Sequence, residues 1–278
     1  MAMRNQGFTL IELIIVIVLL AIIGTFSFSY LGLGAKVFTD AVGRDQLLNQ
    51  SRFAVERLSR ELRNSLPRSV RVINGTNYSC IEFVPIIASS SYVQLPRPGP
   101  FASNAFIGVT PLLEPGQTII NQYLYVYATN HALIYNVATP RRKQITGTTA
   151  HTNPGLTEFT FAGTPTFPTG SLARRFFITE QPVSWCVSRT ASASGTLTRF
   201  KGYGFHNTQR TFSQLSSASA EVMAQQLYND FSSNQVPFYV LPATLQRNSL
   251  VQIDFRFGRA NDTEPLRIQH EVFVPNVP

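Results

Sequence analysis

The chain has 278 residues, a formal net charge of +8, 44% hydrophobic and 14% charged residues, and two cysteines. That composition can bury a sizeable core, which excludes a disordered chain, and two cysteines exclude a disulfide-dense miniature scaffold. The basic excess is mostly arginine and is scattered, with Arg141-Arg142-Lys143 and Arg174-Arg175 as its short clusters. A dedicated nucleic-acid face would show a denser stripe interleaved with stacking aromatics, so nucleic acid is not an expected partner. The charge is read instead as pointing to acidic protein partners.

From Asn5 to Ala35 the only charged residue is Glu12, set among Ile, Leu, Val, Phe, Ala and Gly. The run exceeds the roughly 20 apolar residues that span a hydrocarbon core of about 30 Å. A carboxylate within it costs on the order of a few kcal/mol at the centre of a bilayer and calls for a partner. The nearest cation in the chain is Arg4. A secretory signal peptide does not fit, because the apolar run is too long, carries its charge inside and lacks a good small-residue exit. A plain single-span anchor leaves Glu12 unexplained.

The sequence Gly7-Phe8-Thr9-Leu10-Ile11-Glu12-Leu13, behind a short leader with one basic residue, resembles the type IV prepilin processing site. The resemblance implies that a dedicated peptidase cuts between Gly7 and Phe8 and methylates the new amine of Phe8. It also implies that Glu12 pairs with the N-terminal amine of a neighbouring subunit, since an ammonium from the next helix neutralises a carboxylate in lipid.

Beyond the membrane run, Ala41, Leu48, Val55 and Leu62 recur every seven residues, beside Leu47 and Leu58, with arginines and acids between them. This spacing predicts an amphipathic helix with one apolar stripe, supported by the i,i+4 pairs Arg52-Glu56, Glu56-Arg60 and Arg57-Glu61. Pro67 ends the pattern, and Gly32 and Gly34 mark an expected bend. A helix continuous from Phe8 to about Ser65 would be roughly 85 Å long at 1.5 Å per residue.

After Pro67 the pattern turns to strands. Val70–Ile73 and Tyr78–Ile87 flank an Asn74-Gly75 turn. Ala88–Gln117, rich in Ser, Pro and Gly, reads as a weakly structured excursion. Ile119–Ala128 and Leu133–Val137 are Tyr-rich strand candidates, and Pro140–Pro154 reads as a basic, Thr-rich loop. Leu156–Phe161, Arg175–Ile178, Val183–Ser188 and Leu197–Phe205 follow as short strands. Ser216–Phe231 reads as a short second helix, with Val222, Met223, Leu227 and Phe231 near helical spacing. Alternation over Val251–Phe257 and Leu266–Val272 predicts a C-terminal hairpin.

No catalytic set emerges. His131, His151, His206 and His270 fall in different loops and strands, read as surface or edge residues, and none pairs at metal-ligand spacing. Asn261-Asp262-Thr263-Glu264 gathers oxygen ligands but lacks a calcium-loop spacing, and a plain turn is the simpler reading. Gly202-Tyr203-Gly204 lacks a phosphate-loop pattern and reads as strand or bulge material. No cofactor or metal is expected, and an enzyme is disfavoured. Cys80 and Cys186 lie in strand-like contexts. In a periplasmic domain one disulfide is the simple outcome, with two separate buried thiols as the alternative.

The predicted architecture is α+β: a long N-terminal helix, half transmembrane and half amphipathic, packed on an antiparallel sheet. Its boundaries are a cleaved leader at 1–7, a transmembrane half at 8–35, an amphipathic half at 36–66 and a β-rich pilin-like domain at 67–278. The stretch Leu58-Ser59-Arg60-Glu61-Leu62-Arg63, with a strand-rich remainder, looks like the J-type minor pilins and pseudopilins. Ser79–Pro85 and Val183–Val187 look most similar to MshO-type minor pilins of the mannose-sensitive haemagglutinin (MSHA) pilus. The resemblance implies sister minor and major pilins, the prepilin peptidase, an inner-membrane assembly platform and lipid as partners. It also implies an inner-membrane location before assembly and a place at or near the filament tip afterwards. A J-type pseudopilin of type II secretion, a DNA-uptake minor pilin and a membrane-anchored periplasmic enzyme are the rival readings.

Overall fold

The computed structural model describes residues 7, 9–99, 105–163, 165–189, 194–231, 233, 235–243, 248–258 and 265–275. The chain divides into two compact units, Met1–Asn49 and Gln50–Pro278. The first is helical: α1 begins at Leu10 and is continuous helix through the expected bend at Gly32 and Gly34, ending at Arg63. Its apolar window is 0% buried, and by length and composition this helix can cross a membrane.

In the second unit, the remaining turns of α1 bury Ala54, Leu58 and Leu62, each 0% exposed. Two of the expected intrahelical pairs form, Arg60 with Glu56 at 3.0 Å and Arg57 with Glu61 at 3.4 Å. The helix is followed by an antiparallel sheet of eight strands. Along its main path these are β1 (Arg71–Asn74), β2 (Tyr78–Phe83), β9 (Val183–Ser188), β10 (Gly195–Lys201), β11 (Ser219–Leu227), β13 (Ser249–Phe257) and β12 (Phe238–Leu241). The eighth, β14 (Leu266–Val274), pairs with β13. Hence the predicted α+β architecture, a long apolar helix followed by an antiparallel sheet domain, is what the chain adopts.

The sheet is not the whole β content. Six further strands close into a barrel in the order β3 (Ile86–Gln94), β4 (Phe106–Val109), β7 (Leu156–Phe161), β6 (Arg142–Ala150), β5 (Tyr123–Tyr125) and β8 (Arg175–Thr179). Its core is aromatic: Phe106 meets Phe159, Phe161 and Phe176 edge-on, with ring centroids 5.3–5.7 Å apart, a favoured arrangement of ring quadrupoles.

Several sequence expectations are corrected. The excursion at Ala88–Gln117 holds most of β3 and all of β4, and the basic loop at Pro140–Pro154 is largely β6. The strand expected at Leu133–Val137 is instead a short helix, α2 (His131–Tyr135), capped by Asn130, whose side chain accepts from the Leu133 amide. The strand expected over Ile119–Ala128 shrinks to β5, and that over Leu197–Phe205 stops at Lys201. The second helix expected at Ser216–Phe231 is strand β11. The acidic turn at 261–264 lies outside the described residues.

Candidate functional site

The helix start carries the first candidate. Thr9 precedes the first helical residue, and the Glu12 amide lies 3.1 Å from the Thr9 carbonyl and 3.4 Å from Thr9 Oγ1. Reciprocally, the Thr9 amide and hydroxyl each reach Glu12 Oε2 at 3.5 Å. This is a capping box, in which a Thr at the cap and a Glu three residues on satisfy each other's backbone groups. The Thr-x-x-Glu spacing was legible in the sequence, and it gives Glu12 a local role beside the one inferred from the prepilin resemblance. Gly7 and Glu12 are exposed, as are the surrounding apolar side chains, among them Leu10, Ile11 and Leu13. Phe8 lies outside the described residues.

The second unit holds two polar nodes on opposite faces of its sheet. On one face, the register sets Trp185 opposite Arg199 and Arg199 opposite Glu221. Glu61, near the end of α1, receives hydrogen bonds from Trp185 Nε1 at 3.0 Å and Arg199 Nε at 3.1 Å. Arg199 Nη1 lies 3.4 Å from Glu221, which also meets Lys201 and, at 3.5 Å, Arg57. The Lys201 hydrogen bond holds the Glu221 carboxyl below the usual range.

On the other face, Arg71 stands opposite Glu82 in the β1–β2 register. Its Nε bonds the Glu82 carboxylate, while its two terminal nitrogens donate to the Asn207 and His206 carbonyls at 2.8 and 2.9 Å. The guanidinium lies 3.6 Å from the centre of the Tyr135 ring. Gly202 and Gly204, at φ +78° and +75°, shape a turn between β10 and Phe205 that sends Tyr203 inward. Tyr203 then donates to Glu82 Oε1 at 2.9 Å. Burial pushes the Glu82 carboxyl up, opposed by Arg71. His206, expected at a surface, is half-buried and bonds the Tyr203 carbonyl at 2.8 Å. His131 lies at the surface, as expected, with its ring partly covered and Nε2 3.1 Å from the Val70 carbonyl. Desolvation of the covered ring pushes its imidazole down.

A cleft of about 560 Å³ opens between β1 and β12, lined by residues that include Arg68, Val72, His131, Phe238 and Tyr239. Several of the polar groups about it are already engaged. Arg68 donates to the Thr129 carbonyl at 3.0 Å, and Asn74 accepts from Ser79 at 2.6 Å. Arg141 and Arg142 of the basic cluster are also engaged within the fold. Arg142 stacks 3.6 Å from the Phe205 ring centre and bonds the Ile134 carbonyl, and Arg141 bonds the Thr169 carbonyl at 2.9 Å. These arginines therefore serve packing, where a planar multi-donor group outperforms lysine. Among the described residues, no group of three or more His, Cys, Asp or Glu could hold a metal.

Cys80 and Cys186 are joined in a disulfide, their Cα atoms 4.1 Å apart. The β2–β9 register sets them directly opposite each other, and Phe200 and Leu215 pack around them.

Residues 2–28 match the family model described as the prokaryotic N-terminal methylation motif. The motif supports a type IV pilin-like protein. With the apolar helix it fits a membrane-anchored protein, and a motif of this kind implies, in general terms, a prepilin peptidase and assembly with other pilins. Comparison with curated proteins found no match, and neither did comparison with solved structures.

Proposed function

We propose that the chain is a minor type IV pilin of the MSHA type, which assembles through its N-terminal helix and helps to initiate or cap the filament at its tip. In this reading the leader is cut between Gly7 and Phe8, and the Phe8 amine is methylated. Glu12 then pairs with the N-terminal amine of a neighbouring subunit. Before assembly the chain sits in the inner membrane with its β-rich domain in the periplasm, a placement supported by the Cys80–Cys186 disulfide, since such bonds persist in oxidising compartments. The protein acts as a structural subunit and not as an enzyme. Its partners are sister minor and major pilins, the prepilin peptidase, the assembly platform and lipid.

The observation that carries this proposal is Glu12, the single charge in an apolar run from Asn5 to Ala35, exposed on the helix surface. Its capping role supplies a control. Glu12→Gln keeps a side chain able to cap at the third helical position but removes the charge, whereas Glu12→Ala removes both. Both variants are expected to be processed normally and to fail in assembly, scored by piliation and by intact mass of the membrane form. Wild-type piliation in Glu12→Gln would overturn the ion-pair role. A membrane form that retains residues 1–7 would overturn the pilin reading itself.

A further inference from the structure

The strand β14 presents a nine-residue edge. It pairs with β13 along its whole length, from Leu266 opposite Phe257 to Val274 opposite Ser249. Its other edge has no strand partner among the described residues. Pro265 and Pro275 bracket it. Long open edges are templates for strand addition, and proteins that avoid it shorten or bulge them, place Lys or Pro on them, or cover them. This edge has no register shift in its ladder, and its charges are of mixed sign.

The charges have a pattern. Arg267, Gln269 and Glu271 are all exposed on one face of β14. In an antiparallel pair, residues that turn their backbone groups outward must meet outward-turned residues on the other strand. Two copies of β14 related by a two-fold axis therefore meet only in registers whose axis passes through a residue. With the axis at Gln269, Arg267 of each copy stands opposite Glu271 of the other, and the two Gln269 side chains meet. With the axis at His270, Arg267 would face Phe273. With the axis at Glu271, two carboxylates would face each other. Within one copy, Arg267 stands directly opposite Arg256, a like-charge pair that disfavours the ladder. Asp254 relieves it from the diagonal, 2.8 Å from Arg267. A Glu271 on the open side would complete that neutralisation.

We propose that β14 is a homodimerisation edge, at which a second copy of this chain adds antiparallel with the two-fold axis at Gln269, held by main-chain hydrogen bonds and two reciprocal Arg267–Glu271 pairs. The interface is isologous and closed, so it pairs copies without propagating a fibre. It does not depend on the pilin reading.

The test uses the full chain in detergent, with engineered cysteines and mild oxidation. Gln269→Cys places two thiols across the axis, where facing Cβ atoms lie about 5 Å apart, and a disulfide-linked dimer is expected. Phe273→Cys puts the two thiols roughly 27 Å apart along the strands at 3.4 Å per residue, and no crosslink is expected. In the Gln269→Cys background, Arg267→Glu and Glu271→Arg each set like charges opposite one another and are expected to lower the dimer fraction roughly ten-fold. Mixing the two variants restores opposite charges at both positions and is expected to recover the crosslink as a heterodimer, a result that a folding defect cannot produce. A chain that sediments as a monomer, with no crosslink in the Gln269→Cys variant, overturns the proposal. So does crosslinking of the Gln269→Cys variant to a different protein, equal crosslinking at Phe273→Cys, or a charge-swapped mixture no better than its components.

Discussion

At the scale of single residues, the Arg71–Glu82 pair is the most exacting feature of the second unit, because both ends are taken out of water. Their side chains are 10% and 1% exposed, and desolvation raises the Glu82 carboxyl despite the adjacent guanidinium. A buried pair of this kind adds little net stability, but removing one partner strands a charge and costs about 3–5 kcal/mol. Arg71→Met is therefore expected to lose about that much at pH 7, measured by urea unfolding of the detergent-solubilised chain. The sign with pH follows from the raised folded value. The Glu82 contribution is fully present below the ordinary carboxylate value and is lost as pH rises through the higher folded value. Removing Arg71 raises that value further, so the variant should recover toward wild type on acidification, when the stranded carboxyl takes up a proton. Arg71→Met/Glu82→Gln should recover much of the loss at pH 7. A single variant equally destabilised at pH 7 and pH 4 would show that lost packing on Tyr135 dominates, and not the stranded charge.

At the scale of elements, the end of α1 is fastened to the sheet by the row Trp185, Arg199 and Glu221. Glu61→Ala leaves the Trp185 indole N–H and the Arg199 guanidinium without their acceptor and should cost about 2–3 kcal/mol. Glu61→Gln keeps a neutral acceptor and should cost about half as much. Trp185 is the only tryptophan in the chain, so its fluorescence reports both variants directly, and an unchanged unfolding midpoint in Glu61→Ala would refute the fastening. Which elements could be read in advance follows from how cleanly each shows its period. The C-terminal hairpin was legible because Val251, Ile253, Phe255 and Phe257 are buried in strict alternation. By contrast, β11 looked helical because bulges at the β10–β11 pairing and a left-handed Gln226, φ 62°, put its buried residues out of phase. The Ser-rich β3 buries only Ala88 and Tyr92, and the Thr-rich β6 only Ile145, so neither shows a sequence stripe. The five residues of α2 are too few to show a period, and its signal was the cap at Asn130. At the candidate site, Glu12 was legible as an isolated charge. The Arg71–Glu82–Tyr203 node was not, because its members come from distant segments that only the sheet register brings together.

At the scale of the whole molecule, the placement of the disulfide explains how two β structures share one chain. All six barrel strands, from Ile86 to Thr179, lie between β2 and β9 in sequence, while β2 and β9 are neighbours in the sheet. The barrel is thus an insertion between the second and third strands of the sheet, counted from the β1 edge, and Cys80–Cys186 ties its two stems together across a sequence separation of 106. Bringing such distant stems together from the unfolded chain costs loop-closure entropy, and a crosslink removes about 4–5 kcal/mol of that cost in the chain-entropy treatment. The double variant Cys80→Ala/Cys186→Ala should lose stability of that order in urea, and dithiothreitol should lower the wild-type midpoint to a similar value while leaving the variant's unchanged. The barrel's own aromatic core needs neither cysteine, so the Phe-rich cluster about Phe106 should keep its native packing below the new midpoint, measured by near-ultraviolet dichroism. A reduced wild type with the midpoint of the oxidised protein would show that the sheet register alone holds the stems together. Loss of the barrel signal at zero denaturant would show instead that the insertion depends on its staple.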